Sequence, residues 1–340
     1  MRIALDAMGG DHAPDAIVEG ATQSLDQLDS DDEVILVGRK EIVESKLAAF
    51  GGPRPRLSIY DSPDVIAMDE PPVESLRAKP KSSIAVIAKL AKQDRADAVI
   101  SAGNTGACVA AFQMRMRTLP GVVRPGIAAV FPTFGGPVVI CDLGANIASK
   151  PVHLYQYAVM ASAYSQHLLD VAHPKVGILS IGQEDAKGNE TVKKAREMIK
   201  EDGDLDFYGN VEGRDILTGV ADVVVCDGFV GNVVLKLTEG LVDGLFRTIK
   251  QELMREKLPL AMMFKPVMMR IYKKYDYNEY GGAPLLGVDG TALICHGASQ
   301  ARTIKNAILT AKKYHSKRIN AVISEYLAQR PVGIPDAQAS

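Results

Sequence analysis

The chain has 340 residues, of which 47% are hydrophobic and 24% charged, with a formal net charge of −2. That balance is ordinary for a globular protein and excludes the class of basic nucleic-acid binders; the length suits two domains or one large α/β unit. No apolar run approaches the roughly 20 residues of a membrane span, and the start shows no charged flank before an apolar core, so a cytoplasmic setting is expected.

The chain opens MRIALDAMGGDHAP. Arg2–Ala7 reads as a buried strand that stops at Gly9 and Gly10, with His12 next and a helix-period run over Asp15–Leu28. A strand that ends on glycines before a helix suits a phosphate, but the spacing is not that of a dinucleotide fingerprint. Glu33–Val37 reads as a strand, Ser83–Lys92 as an amphipathic helix, and Ala98–Ser101 as a strand entering SAGNTGA, which contains Asn104. Ile127–Phe131 and Val138–Asp142 are strands, the second opening DLGAN with Asn146. A helix over His153–Leu169 leads to a strand over Val176–Ile181, which runs into IGQEDAKGNE with Lys187, Gly188 and Asn189. After a helix over Thr191–Glu201 come strands at Leu205–Tyr208 and Val223–Asp227, the latter entering DGFVGN with Gly228, Gly231 and Asn232. The apolar runs lack polar alternation, as strands covered on both faces do. Alternating strands and helices predict one α/β domain over residues 1–330, with a mostly parallel, doubly wound sheet. A helical hairpin at 240–275 and a flexible tail at 331–340 complete it.

Five strand ends therefore carry glycine together with Asp, Asn, Lys or His. In open α/β sheets ligands sit beyond the carboxyl ends of strands, and glycine admits backbone N–H groups close to a ligand. Gly and Asn also make tight turns between strands and helices, which accounts for any single case. Five together, with Lys187 and His12 among them, point to a polar cleft for a small anion and a polarised carbonyl. The four cysteines (Cys108, Cys141, Cys226, Cys295) are scattered and read as buried free thiols. His153, His167, His173, His296 and His315 have no ligand spacing and read as structural or exposed, so no metal and no cofactor are expected.

Residues 247–275 differ from the rest. Eight cations stand against two carboxylates there, and five methionines lie within and around LPLAMMF. Prolines at 259 and 266 between basic amphipathic runs predict a projecting hairpin with a greasy tip. Leu258, Leu260, Met262, Met263, Phe264 and Val267 are its expected membrane contacts, with cations drawn to anionic head groups. An ordinary hairpin packed in a dimer interface and an acidic protein partner are the other readings.

ALDAMGGDHAP, SAGNTGA, RPG at 124–126, DLGAN, VGILSIGQEDAKGNE, DGFVGN and YGGAPLLGVDG at 280–290 resemble, in order and spacing, the bacterial phosphate acyltransferase (PlsX) family over about residues 1–325. The resemblance implies a Rossmann-like three-layer fold similar to isocitrate and isopropylmalate dehydrogenases and to phosphotransacetylase. It also implies acyl transfer from acyl carrier protein to phosphate, with the acyl phosphate passed to a membrane glycerol-phosphate acyltransferase. Family members are homodimers that associate peripherally with membranes. Lys187 and Asn232 match the family's conspicuous lysine and asparagine. The expected roles are phosphate or oxyanion binding for Lys187 and orientation of phosphate or carbonyl by Asn232, with Asn104 and Asn146 as further candidates. Backbone donors come from Gly9, Gly10, Gly188, Asn189, Gly228 and Gly231. His12 either protonates the leaving thiolate or holds its turn. Arg77, Lys79, Lys81, Arg115, Arg117 and Arg124 are candidate cations for the acidic carrier. The rival readings are a phosphotransacetylase-like enzyme using acyl-CoA, a nicotinamide-dependent dehydrogenase, and a non-enzymatic membrane scaffold.

Overall fold

The structure, a computed structural model, describes residues 1–255, 258–275 and 280–330. The first part of the chain gives β1 (Arg2–Asp6), α1 (Asp15–Ser24), β2 (Glu33–Gly38), α2 (Lys40–Ala49), β3 (Leu57–Asp61), α3 (Pro72–Ala78), α4 (Ser83–Lys92), β4 (Ala98–Ser101) and α5 (Thr105–Met116). The middle gives β5 (Gly126–Pro132), β6 (Pro137–Cys141), α6 (Pro151–Leu168), β7 (Lys175–Leu179), α7 (Glu190–Glu201), β8 (Asp206–Val211), α8 (Gly213–Ile216) and β9 (Val223–Val225). Two long helices follow, α9 (Gly228–Arg255) and α10 (Leu258–Tyr275), then β10 (Ala283–Leu286), β11 (Thr291–Ile294), α11 (Ala301–Ser316) and α12 (Ile319–Ala328).

All the strands join one sheet in the order β3-β2-β1-β4-β11-β10-β5-β6-β9-β7-β8. The pairings are parallel except at three neighbouring joins, β11–β10, β10–β5 and β5–β6. An odd number of reversals separates β4 from β6. The strands β6, β9, β7 and β8 therefore run opposite to β1, β2, β3 and β4.

Alternating residues divide the core into layers, because successive strand side chains point to opposite faces. Ala4, Val99, Ile140 and Val224 pack on one face with α4 and α5 residues such as Ile87 and Phe112. On the other face, Ile3 and Ile100 pack with α1 and α11 residues, and Val139 and Val225 with α6 and α7 residues. The result is the expected three-layer, mostly parallel α/β architecture.

Several boundaries differ from the sequence expectation for local reasons. β3 is a half-buried edge strand, so its sequence LSIYD carries no fully apolar run. β10 and β11 span four residues each, too few for a periodic signal, and owe their strand form to pairing with β5 and β4. The helix expected to Leu28 ends at Ser24 and tightens into a 3-10 turn over Leu25–Gln27. Pro266 does not end the second helix: α10 runs through it from Leu258 to Tyr275, and α9 ends at Arg255. Pro259 then falls in the first helical turn, where a missing N–H costs nothing. α10 includes Leu258, Leu260, Met262 and Met263, whose side chains lie outside the described residues, as does the expected tail at 331–340. Phe264 and Val267 are exposed. Among the described residues no helix is long and apolar enough to cross a membrane.

Candidate active site

The opening turn is held from beneath by Asp6, the last residue of β1, which is fully buried. Its carboxylate accepts from the Ser101 hydroxyl at 2.6 Å and from the Met8 N–H at 3.0 Å. Burial raises its pKa, against the pull of those donors. A Cβ on Gly9 would stand 2.5 Å from Asp6 Oδ2 and 2.7 Å from the Gly103 nitrogen, and one on Gly10 would meet the Gly297 carbonyl at 2.9 Å. The Asp11 N–H donates to that same carbonyl at 2.7 Å. The two glycines thus let three loops, after β1, β4 and β11, pack backbone against backbone. Their side-chain-free surface is matched by protein itself. His12 is exposed, and its ring makes no hydrogen bond among the described residues.

Asn104, one loop away, is engaged throughout. Its Oδ1 caps α5 by accepting from the Ala107 N–H at 3.0 Å, and its Nδ2 donates to the carbonyls of Ala67, Met68 and Glu70. With every amide proton committed, it braces a loop and has none left for a ligand. Asn146 repeats the pattern after β6: its Nδ2 reaches the Pro125 carbonyl at 2.7 Å, the Tyr157 hydroxyl at 2.8 Å and Asp142 Oδ2 at 3.2 Å. Asp142, fully buried, in turn accepts from the N–H groups of Ile127, Gly144, Ala145 and Asn146. The start of α9 is seated on this knot. A Cβ on Gly228 would lie 2.6 Å from the Asn146 carbonyl, and one on Gly231 would collide with the Asp142 carbonyl.

Asn232 and Lys187 behave differently. Asn232, half-buried in the second turn of α9, lies over Gly144, and its amide makes no hydrogen bond among the described residues. Lys187 is exposed in the turn after β7, and its ammonium forms no ion pair there. The rest of that turn is local structure: Gly188 takes φ of +97°, and Asn189 Oδ1 caps α7 by accepting from the Val192 N–H at 2.9 Å.

The five glycine-bearing strand ends do not gather at one edge, because the three antiparallel joins reverse half of the sheet. β1 and β4 end at one edge; β6, β7 and β9 end at the other. What connects the edges is a cavity of about 640 Å³ on the sheet face beneath α9 and α10. Its lining includes Thr105 and His296 from the first edge and Leu143 and Asn232 from the second, with mostly apolar residues between. His296, expected to be structural or exposed, is exposed, and it also lines this cavity. Its Nδ1 accepts from the Ala298 N–H at 3.2 Å, which leaves Nε2 to face Glu239 Oε2 at 3.7 Å. Burial raises the Glu239 carboxyl. Neither residue has a motif around it, which is why the sequence hides the pair. All four cysteines are buried and free, and burial lifts the Cys295 thiol to about 12.

Comparison with known proteins decides the family. The model of the family described as "Fatty acid synthesis protein" matches residues 1–321. A phosphate acyltransferase of Heliobacterium modesticaldum is 47% identical over 330 residues, covering 96% of this chain and 98% of the relative. The chain belongs to that family. Another phosphate acyltransferase, from Desulfitobacterium hafniense, is 48% identical over 316 residues, 92% of this chain and 93% of its own. The fold of this family member extends beyond its sequence relatives. A phosphotransacetylase from Streptococcus pyogenes superposes with a TM-score of 0.65 at 18% identity, over 93% of this chain and 94% of that one. A 4-hydroxythreonine-4-phosphate dehydrogenase from Klebsiella pneumoniae does so with a TM-score of 0.51 at 13% identity, over 93% and 98%. At those identities the likeness is one of fold.

Proposed function

We propose that the chain takes a long-chain acyl group from the thioester of acyl carrier protein and transfers it to inorganic phosphate, giving acyl phosphate for phospholipid synthesis. The observation that carries this reading is the near full-length match to phosphate acyltransferases. A phosphate oxygen forms the new bond to the thioester carbonyl carbon, the C–S bond breaks, and the proton released by phosphate passes to the carrier thiolate. Phosphate is itself the nucleophile, so the reaction needs none from the protein, and the buried cysteines are unsuited to the task.

Lys187 and Asn232 follow the ends of the adjacent parallel strands β7 and β9. Both have uncommitted donors, whereas Asn104 and Asn146 do not. Lys187 is assigned to phosphate or to the developing oxyanion, and Asn232 to orienting phosphate or carbonyl; a preorganised donor at such an oxygen is worth about 3–4 kcal/mol. His12, on the opening turn at the sheet edge opposite Lys187 and Asn232, is given no part in this step. The chain is read as one α/β unit over 1–330 that works in the cytoplasm as a homodimer. The hairpin at 240–275 holds it against the membrane, where acyl phosphate reaches a glycerol-phosphate acyltransferase.

The likeness of fold to a phosphotransacetylase favours a second reading, in which acyl-CoA is the donor. One experiment separates them. Purified protein is mixed with labelled phosphate and either palmitoyl carrier protein or palmitoyl-CoA. Acyl phosphate and free thiol should appear with the carrier substrate. Turnover with palmitoyl-CoA alone would replace the first reading by the second, and no acyl phosphate from either would end both.

A further inference from the structure

The cavity beneath α9 and α10 has an apolar arm with a direction. β5 and α9 start together at the Asp142 knot, where Asp142 accepts from the Ile127 N–H at 3.0 Å and Gly228 meets Asn146. The lining then follows β5 through Ile127, Ala129 and Phe131 and follows α9 from Asn232 to Leu245. At the far end Phe134, in the turn after β5, meets Tyr275 of α10 edge to face, with ring centroids 5.7 Å apart. Asn232 and Leu245 are 13 positions apart on one helix, so the arm is ~20 Å long at 1.5 Å per residue. The hydrocarbon core of a bilayer is ~30 Å thick and two chains deep, so one fatty acyl chain needs ~15 Å.

We propose that this arm holds the fatty acyl chain of the thioester substrate, with the carbonyl at Asn232 and the methyl end at Phe134, Leu245 and Tyr275. The inference rests on the acyl-transfer reading above. A free amide at one end and a mostly apolar wall, interrupted midway along α9 by Glu239 facing His296, suit a molecule with one polar end and a long hydrocarbon tail. The volume, about 640 Å³, is within the range of small-ligand pockets. Leu241 and Leu245 are also exposed on α9, so a second copy seated there would roof the arm. The Phe134–Tyr275 contact closes the arm and sets the longest chain it takes. Ala129, on the floor midway along β5, is the position where added bulk shortens it.

Two measurements on the full chain test this. In the first, wild type and Ala129→Phe are given carrier protein charged with hexadecanoate or with hexanoate, and acyl phosphate is counted. The ratio of long-chain to short-chain turnover should fall at least tenfold in the variant. An unchanged ratio in a folded variant would overturn the assignment. In the second, which needs no variant, wild type is photolysed with carrier protein bearing a hexadecanoyl chain that ends in a diazirine. Cross-links should map to Phe134, Leu245 or Tyr275; cross-links elsewhere would overturn the assignment. If wild type makes acyl phosphate from neither thioester, it is the acyl-transfer reading that fails. Activity with a chain-length profile indifferent to Ala129 leaves that reading standing and removes only the arm.

Discussion

Asn146 and Asn232 belong to the same knot of loops, yet only Asn232 keeps its amide unengaged. The difference lies in where each residue falls relative to Asp142. Asn146 closes the turn that wraps the buried carboxylate, so its side chain completes that turn; Asn232 is one helical turn beyond it and faces the cavity. Asn232→Ala should therefore lower acyl phosphate formation without loosening the fold. Lys187→Ala should lower it further, by about 10²–10³-fold, the effect of deleting one oxyanion donor. Steady-state assays beside a circular dichroism spectrum check both, and activity within a few-fold of wild type would remove Lys187 from the centre of the mechanism. Gly231→Ala should do the reverse. It drives a methyl group into the Asp142 carbonyl and should cost about 1–3 kcal/mol of stability, read from denaturant unfolding. His153, buried under Arg124 and Lys150, has its pKa depressed to about 4, chiefly by desolvation. The unfolded imidazole takes its proton near 6.5. The neutral buried ring thus contributes fully above about pH 6.5 and is lost as pH falls toward 4, a loss of up to ~3 kcal/mol. His153→Gln should flatten that part of the stability–pH curve.

Among the elements, the α9–α10 pair carries the features that the globular body does not need. Val233, Leu237, Leu241 and Leu245 are spaced by four and lie 50–68% exposed along one stripe of α9. Met254, Phe264, Val267, Met269 and Ile271 are exposed on either side of the join. Residues four apart share a helix face, so the stripe supports the proposed dimer and the exposed residues near the join support membrane contact. Deleting residues 260–267 should abolish co-sedimentation with anionic liposomes while leaving the fold intact. Undiminished binding would end the membrane reading. Leu237→Lys, within the stripe, should convert a dimer to a monomer in sedimentation, and a variant still dimeric would count against that interface.

For the molecule as a whole, the reversal at β10 and β5 matters more than any one motif. It separates the opening turn from Lys187 and Asn232 along the sheet and leaves a cavity crossing the face between them. Cations offered to the acidic carrier are distributed around this body. Lys79 is not one of them, since its ammonium is held by Glu70 and the Val65 carbonyl. Arg77, Lys81, Arg115, Arg117 and Arg124 are exposed. If these or the hairpin cations capture the carrier, added salt should raise the apparent KM for carrier substrate, because screening weakens exposed charge pairs. A KM constant from low to high salt would exclude both patches.

The alternation of apolar strands with helical runs, the buried thiols and the run of glycine turns were all legible from residue order, because each depends on local pattern. Asn189, read from the sequence as a phosphate ligand, instead caps α7 through its side chain. The three strands that went unread are short or at an edge, and only their neighbours in the sheet make them strands. Asn104 and Asn146 could not be told from Asn232 in the sequence, since an amide's availability depends on carbonyls that long-range packing brings to it. The same holds for the glycines of the opening turn, which looked made for phosphate and are filled by Gly103 and Gly297. Strand direction, which sets the turns apart, and the cavity that links those after β4, β6 and β9 follow from pairing between segments distant in the chain. Local sequence therefore determined the elements and the chemical groups available. Tertiary pairing decided which of those groups remain free to act.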